Sequence, residues 1–162
     1  MLKRNDRWLT VIAAIAWFVL PNAAQAGQSS ERAVREAAAE FYSALNLLFT
    51  GNLAPMELVW SHANDITYMG PGGGFEVGWT EVLADWKKQA AMQLGGKVEP
   101  DEMRITVGDE IAIVQNYEKG VNTNAGGKNE NIAIRATSIF RKEQGKWKMI
   151  GHHTDLLPYL KH

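Results

Sequence analysis

The 162-residue chain contains no cysteine. That excludes disulfides, thiolate nucleophiles and cysteine-bound zinc, and fits an oxidising or a reducing compartment equally well. It also lacks an excess of either charge: 17 basic and 18 acidic side chains give a formal net charge of −1. No basic stripe of the kind that phosphate backbones require is present, so no nucleic-acid partner is expected. With 46% apolar and 22% charged residues the composition is ordinary for a globular protein, and the length suits one domain.

Only one long apolar run occurs, and it stands at the start. Lys3, Arg4 and Arg7 precede the uncharged segment Trp8 to Leu20, Pro21 breaks it, and Ala24-Gln25-Ala26 follows. A basic start, a short apolar stretch and small residues at an A-x-A site form the pattern of a cleavable secretory signal. Thirteen helical residues would span only about 20 Å, short of a hydrocarbon core of roughly 30 Å. The expectation is therefore export to the periplasm or medium, with residues 1–26 removed and no stable membrane anchor after cleavage. Residues 27–162 would then carry 14 basic and 17 acidic side chains, formally −3.

In that remainder, Val34, Ala38, Phe41, Ala44, Leu45 and Leu48 recur at helical spacing, with Ser29 or Ser30 as cap and Gly51 as stop. Pro55 to Ser61 reads as a second short helix with Leu58 and Val59 turned inward. Asp65 to Met69 reads as a strand halted by Gly70-Pro71-Gly72-Gly73-Gly74. Val82, Leu83, Trp86 and Ala90 mark a third helix, with Thr80 as its cap. The period then changes to two, predicting strands over 103–107, 111–119, 132–141 and 147–154. Helices followed by an antiparallel meander predict an α+β layered fold.

The last strands define the candidate site. A two-residue turn at Gln144-Gly145 pairs Phe140 with Met149, Ser138 with Gly151 and Ala136 with His153. Small residues on that face leave unfilled volume, which places a pocket there with His153 as a polar group. Asp155 shares its parity. Arg141, Ile139, Thr137 and Arg135, with Lys148 and His152, fall on the opposite face. Adjacent strand residues point to opposite sides, so His152 and His153 cannot easily share an ion, and no metal site is expected. The preceding strand divides into Ala112, Val114, Asn116 and Glu118 against Ile111, Ile113, Gln115 and Tyr117. Periodicity does not say which set faces inward.

Arg135 to Arg141 and Gly145 to Thr154, with Tyr68-Met69-Gly70-Pro71 and Val77-Gly78-Trp79, resemble SnoaL-like members of the nuclear transport factor 2-like superfamily. The resemblance implies a cone: a curved antiparallel sheet wrapped around N-terminal helices, enclosing a pocket, and commonly a homodimer formed through the sheet. The dimer face expected here carries Arg135, Thr137, Ile139 and His152. Matched to the superfamily's kinase association domains, Val114, Asn116 and Glu118 take the inward parity. Glu118 and His153 then become candidate catalytic groups. Trp60, Tyr68, Asn116, Ser138 and Asp155 become candidate pocket residues, the aromatics near the mouth. The aspartate base of ketosteroid isomerase, with its tyrosine-aspartate oxyanion hole, is not matched, although Tyr68 and Tyr117 are present. Such folds host many unrelated functions. Two classes remain: a module binding a hydrophobic small molecule, or a cofactor-free enzyme (isomerase, cyclase, dehydratase or hydrolase) acting on one. The first is favoured because no complete acid-base set can be assembled.

Overall fold

The computed structural model describes residues 23–123 and 126–156. Most of the expected export signal lies outside these residues. Among the described residues no helix is long and apolar enough to cross a membrane.

Helix α1 spans Ala23–Leu48, starting earlier than the periodic stripe because Ala23 to Ala26 are strong helix formers or neutral ones. Ser29 therefore lies inside the helix and returns its hydroxyl to the Ala26 carbonyl at 2.8 Å rather than capping. Val34, Ala38, Phe41, Ala44, Leu45 and Leu48 are all buried, and so is Tyr42. Helix α2 (Ala54–Val59) buries Met56, while Leu58 is 72% exposed, so the inward position expected for Leu58 belongs to Met56. Six residues make under two turns, too few for a reliable stripe. Helix α3 (Trp79–Met92) starts one residue before Thr80, with Gly78 at its N-cap, and buries Val82, Trp86 and Ala90.

The strands are β1 (Thr67–Met69), β2 (Glu76–Val77), β3 (Lys97–Val107), β4 (Ile111–Thr123), β5 (Asn129–Glu143) and β6 (Lys146–Asp155). They form one sheet in the order β2-β1-β6-β5-β4-β3. The sheet is mixed rather than wholly antiparallel, because β1 runs parallel to β6. The chain passes through α3 and the whole meander between these two strands, a connection long enough for parallel pairing. Helices pack on the concave face, where α1 meets β3 and β6. Gly120 of β4 lets β3 close in at this point. A Cβ there would lie 1.9 Å from the Lys97 carbonyl oxygen.

The turn at Gln144-Gly145 has the expected two residues, at φ of 50° and 80°, and Phe140 pairs with Met149. Beyond that pair the register shifts. Ile139 faces Gly151, Ser138 faces His152, Thr137 faces His153 and Ala136 faces Thr154. Ile150 is the extra residue of a β-bulge. The cause lies on the far edge of β6. At Met149 that edge bonds Trp60 and Ser61, with Ser61 N–H donating to the Met149 carbonyl at 2.9 Å. From Gly151 to His153 it bonds β1 instead. The bulge sits where one partner gives way to the other.

Candidate functional site

The bulge reverses the expected parity of the two histidines. His152 and Thr154 point inward, each 4% exposed, and His153 stands on the outer face, exposed. The placement expected for His153 beside Glu118 is therefore corrected: His152 takes it. Asp155 likewise lies outside, where Arg135 grips its carboxylate through two hydrogen bonds of 3.2 and 2.8 Å. Those bonds hold the Asp155 carboxyl below its ordinary range.

Glu118 is 4% exposed on the inner face of β4. In the register of the sheet it stands level with Ile134, and His152 level with Ser138, so Ala136 lies between them on β5. The small alanine leaves room for the two longer side chains to meet above it. His152 Nε2 is 3.4 Å from Glu118 Oε1. Ser138 Oγ is 2.9 Å from His152 Nδ1 on the other side of the ring. A carboxylate facing Nε2 favours the tautomer protonated there, which leaves Nδ1 to accept the Ser138 hydroxyl proton.

Helix α1 supplies a further partner. Tyr42 donates its hydroxyl proton to the same Glu118 Oε1 at 3.1 Å, and Asn116 donates to the Tyr42 oxygen at 2.8 Å. Burial, and then the nearby Glu118 charge, push the Tyr42 phenol well above its usual range, so it remains a donor. Both contacts of the Glu118 carboxylate fall on Oε1. Oε2 has no hydrogen-bond partner among the described residues and is not fully enclosed.

Glu118 and His152 lie at the inner end of a cavity of about 440 Å³. Its walls are largely apolar: Leu45 from α1 and Phe49 just after it, Trp86 from α3, Leu94 in the loop before β3, Val98 at the start of β3, and Ile132 and Ile134 from β5. Tyr68 also lines it, its ring parallel to the His152 imidazole with 6.0 Å between centroids. Gln89 donates to the Tyr68 oxygen at 2.8 Å. The phenol proton has no acceptor among the described residues, and burial raises the group well above its usual range.

Of the residues expected around the pocket, Glu118 and Tyr68 border this cavity. Ser138 and Asn116 stand behind it, as partners of His152 and Tyr42. Trp60 is not at a mouth. It is 1% exposed in the core, edge-on to Tyr68. His152 also leaves the proposed dimer face, whose remaining members Arg135, Thr137 and Ile139 lie on the outer side of β5. Sequence reasoning missed Tyr42, Gln89, His152 and Thr154. Tyr42 lies four residues after Ala38 and three before Leu45, and Gln89 three after Trp86, so helical spacing could have found both. Gly151 was the available signal for His152, since a glycine within a strand often marks a bulge.

The sequence profile of the SnoaL-like domain matches residues 34–157. No curated protein matches the chain. Among solved structures, a candidate dehydratase of the nuclear transport factor 2-like family from Streptomyces avermitilis superposes with a TM-score of 0.71 at 19% identity, covering 80% of this chain and 97% of that one. A candidate calcium/calmodulin-dependent protein kinase type II association domain from Thiobacillus denitrificans gives 0.65 at 22% identity, covering 76% and 94%. A candidate ketosteroid isomerase from Shewanella frigidimarina gives 0.61 at 22% identity, covering 75% and 94%. Identities this low establish the fold alone. With the profile match over most of its length, the chain belongs to the SnoaL-like domain family, on the cone-shaped fold of the nuclear transport factor 2-like superfamily.

Proposed function

We propose that this protein binds an apolar small molecule in the cavity and moves a proton on it without a cofactor, using Glu118 together with His152. The observation that carries this reading is a buried carboxylate–imidazole pair at the inner end of an apolar cavity of about 440 Å³. Pockets of this size with few convergent polar groups are the usual form of small-molecule sites. Glu118 Oε1 is fixed by Tyr42 and His152, which leaves Oε2 to accept or return the proton. The free proton of Tyr68 can hydrogen-bond an oxygen of the same ligand. The acid-base set that could not be assembled from His153 is completed by His152. Isomerisation and dehydration, the reactions named for two of the structural neighbours, both proceed by proton transfer. The kinase association domain among the neighbours favours the alternative, a binding module with no turnover.

A thermal-shift screen of hydrophobic carbonyl and hydroxy compounds, followed by incubation of the hits in D₂O, separates the two. Proton transfer should wash deuterium into the ligand or give product, read by mass spectrometry. Glu118→Gln should then slow exchange by about 10²–10⁴, the usual worth of a general acid or base, while binding persists. His153→Ala should change neither. Hits that bind without exchange or product would replace this reading with the binding module.

A further inference from the structure

The inner face of β4 continues outward from Glu118 through Gly120 to Asn122. Asn122 lies four residues beyond Glu118, roughly 13 Å along the strand. Gly120 carries no side chain between the two, and the surface around it is apolar: Ile134 and Ile132 from β5, and Val98 from β3. Beyond this stretch Asn122, only 9% exposed, returns a polar group to the cavity wall. Its amide nitrogen donates to the Gly95 carbonyl at 2.7 Å. Its Oδ1 has no hydrogen-bond partner among the described residues and is not fully enclosed.

Exposure shows which end is open. Glu118 is 4% exposed, whereas Met92 and Leu156, which border the cavity at the end where β4 and β6 finish, are 56% and 53% exposed. A ligand therefore enters past Asn122 and reaches Glu118 last. Asn122 Oδ1 is an acceptor only, and Glu130, opposite on β5, brings a carboxylate to the same end. An acceptor at this position suits a ligand hydroxyl.

We infer that the cavity selects a two-ended ligand: an apolar body with its reacting polar group at Glu118 and His152, and a second hydrogen-bond donor, such as a hydroxyl, held at the mouth by Asn122 Oδ1. The inference rests on the cavity being the ligand site and does not require turnover. The pattern follows from what β4 presents inward: acid, bare glycine, amide. Asn122 reads the ligand after the reacting end is seated, so it sets affinity and orientation rather than chemistry.

Two rigid probes test it, 4,4′-dihydroxybiphenyl and 4-hydroxybiphenyl, which share one apolar body and differ by the second hydroxyl. Titration calorimetry on the wild type should show the dihydroxy compound binding about 3–10-fold more tightly, the worth of one net hydrogen bond. Asn122→Leu should bring that ratio to about 1. Asn122→Ala, which removes the acceptor without adding bulk, should do the same if the leucine variant does not fold. The ratio is insensitive to a general loss of stability, which weakens both probes alike. Equal affinities in the wild type, or a preference that survives in the alanine variant, would overturn the two-ended ligand and leave the cavity reading standing. Binding of neither probe would overturn both.

Discussion

His152 and His153 are neighbours in the chain and occupy opposite environments. His152 is 4% exposed, flanked by Phe41 and Tyr68, with a carboxylate at one ring nitrogen and a hydroxyl at the other. His153 lies on the outer face among paired surface ions: Arg135 with Asp155, Lys119 with Asp101, Arg141 with Asp65. The two faces use the same residue types to different ends. Outside, water screens each pair, and such contacts contribute about 0–1 kcal/mol. Inside, the groups have left water, so each depends on its partners and removal of one strands another. One bulged residue, Ile150, decides which histidine meets which fate.

The sharpest way to break this contrast is to remove each histidine in turn. His152→Ala should cost about 3–5 kcal/mol in urea unfolding, because it empties a buried aromatic site and leaves Glu118 with Tyr42 as its remaining donor among the described residues. His153→Ala should stay within about 0.5 kcal/mol. Equal costs would erase the distinction between the faces. Tyr42→Phe should have an intermediate effect of about 1–3 kcal/mol, since Glu118 loses a donor and the buried Asn116 amide loses an acceptor. The smallest effect belongs to the outer face. Hydrogen bonds from Arg141 hold the Asp65 carboxyl below its ordinary range. The pair therefore stabilises the folded state above the unfolded-chain value of about 3.9 and fades as pH falls through the lowered one. Asp65→Asn should cost less than about 1 kcal/mol near neutrality, and the difference from wild type should close only below about pH 4.

Features set by local chemistry were legible in the sequence. The α1 stripe from Val34 to Leu48 follows from helical periodicity, and the turn at Gln144-Gly145 from a glycine that takes positive φ without strain. The inward placement of Glu118 follows from the family resemblance and not from alternation, which allows either face of β4. The bulge at Ile150 depends on which segment lies along the other edge of β6. That edge is built from Trp60, Ser61 and Thr67 to Met69, some eighty residues earlier in the chain. No window around the histidines contains this information. Counting parity through a strand glycine therefore exchanged His152 for His153, and with it Thr154 for Asp155. The small-residue face of the last hairpin pointed to a pocket, but not to its apolar walls, which come from α1, α3, β3 and β5 together.

The coupling between Glu118 and a histidine tests the central claim most directly. In a double-mutant cycle built from Glu118→Gln, His152→Asn and the pair, unfolding free energies should depart from additivity by about 1–3 kcal/mol, as expected for groups in contact. The parallel cycle with His153→Asn should be additive within about 0.5 kcal/mol, since that residue lies across the sheet. Additivity at His152 with coupling at His153 would contradict the account.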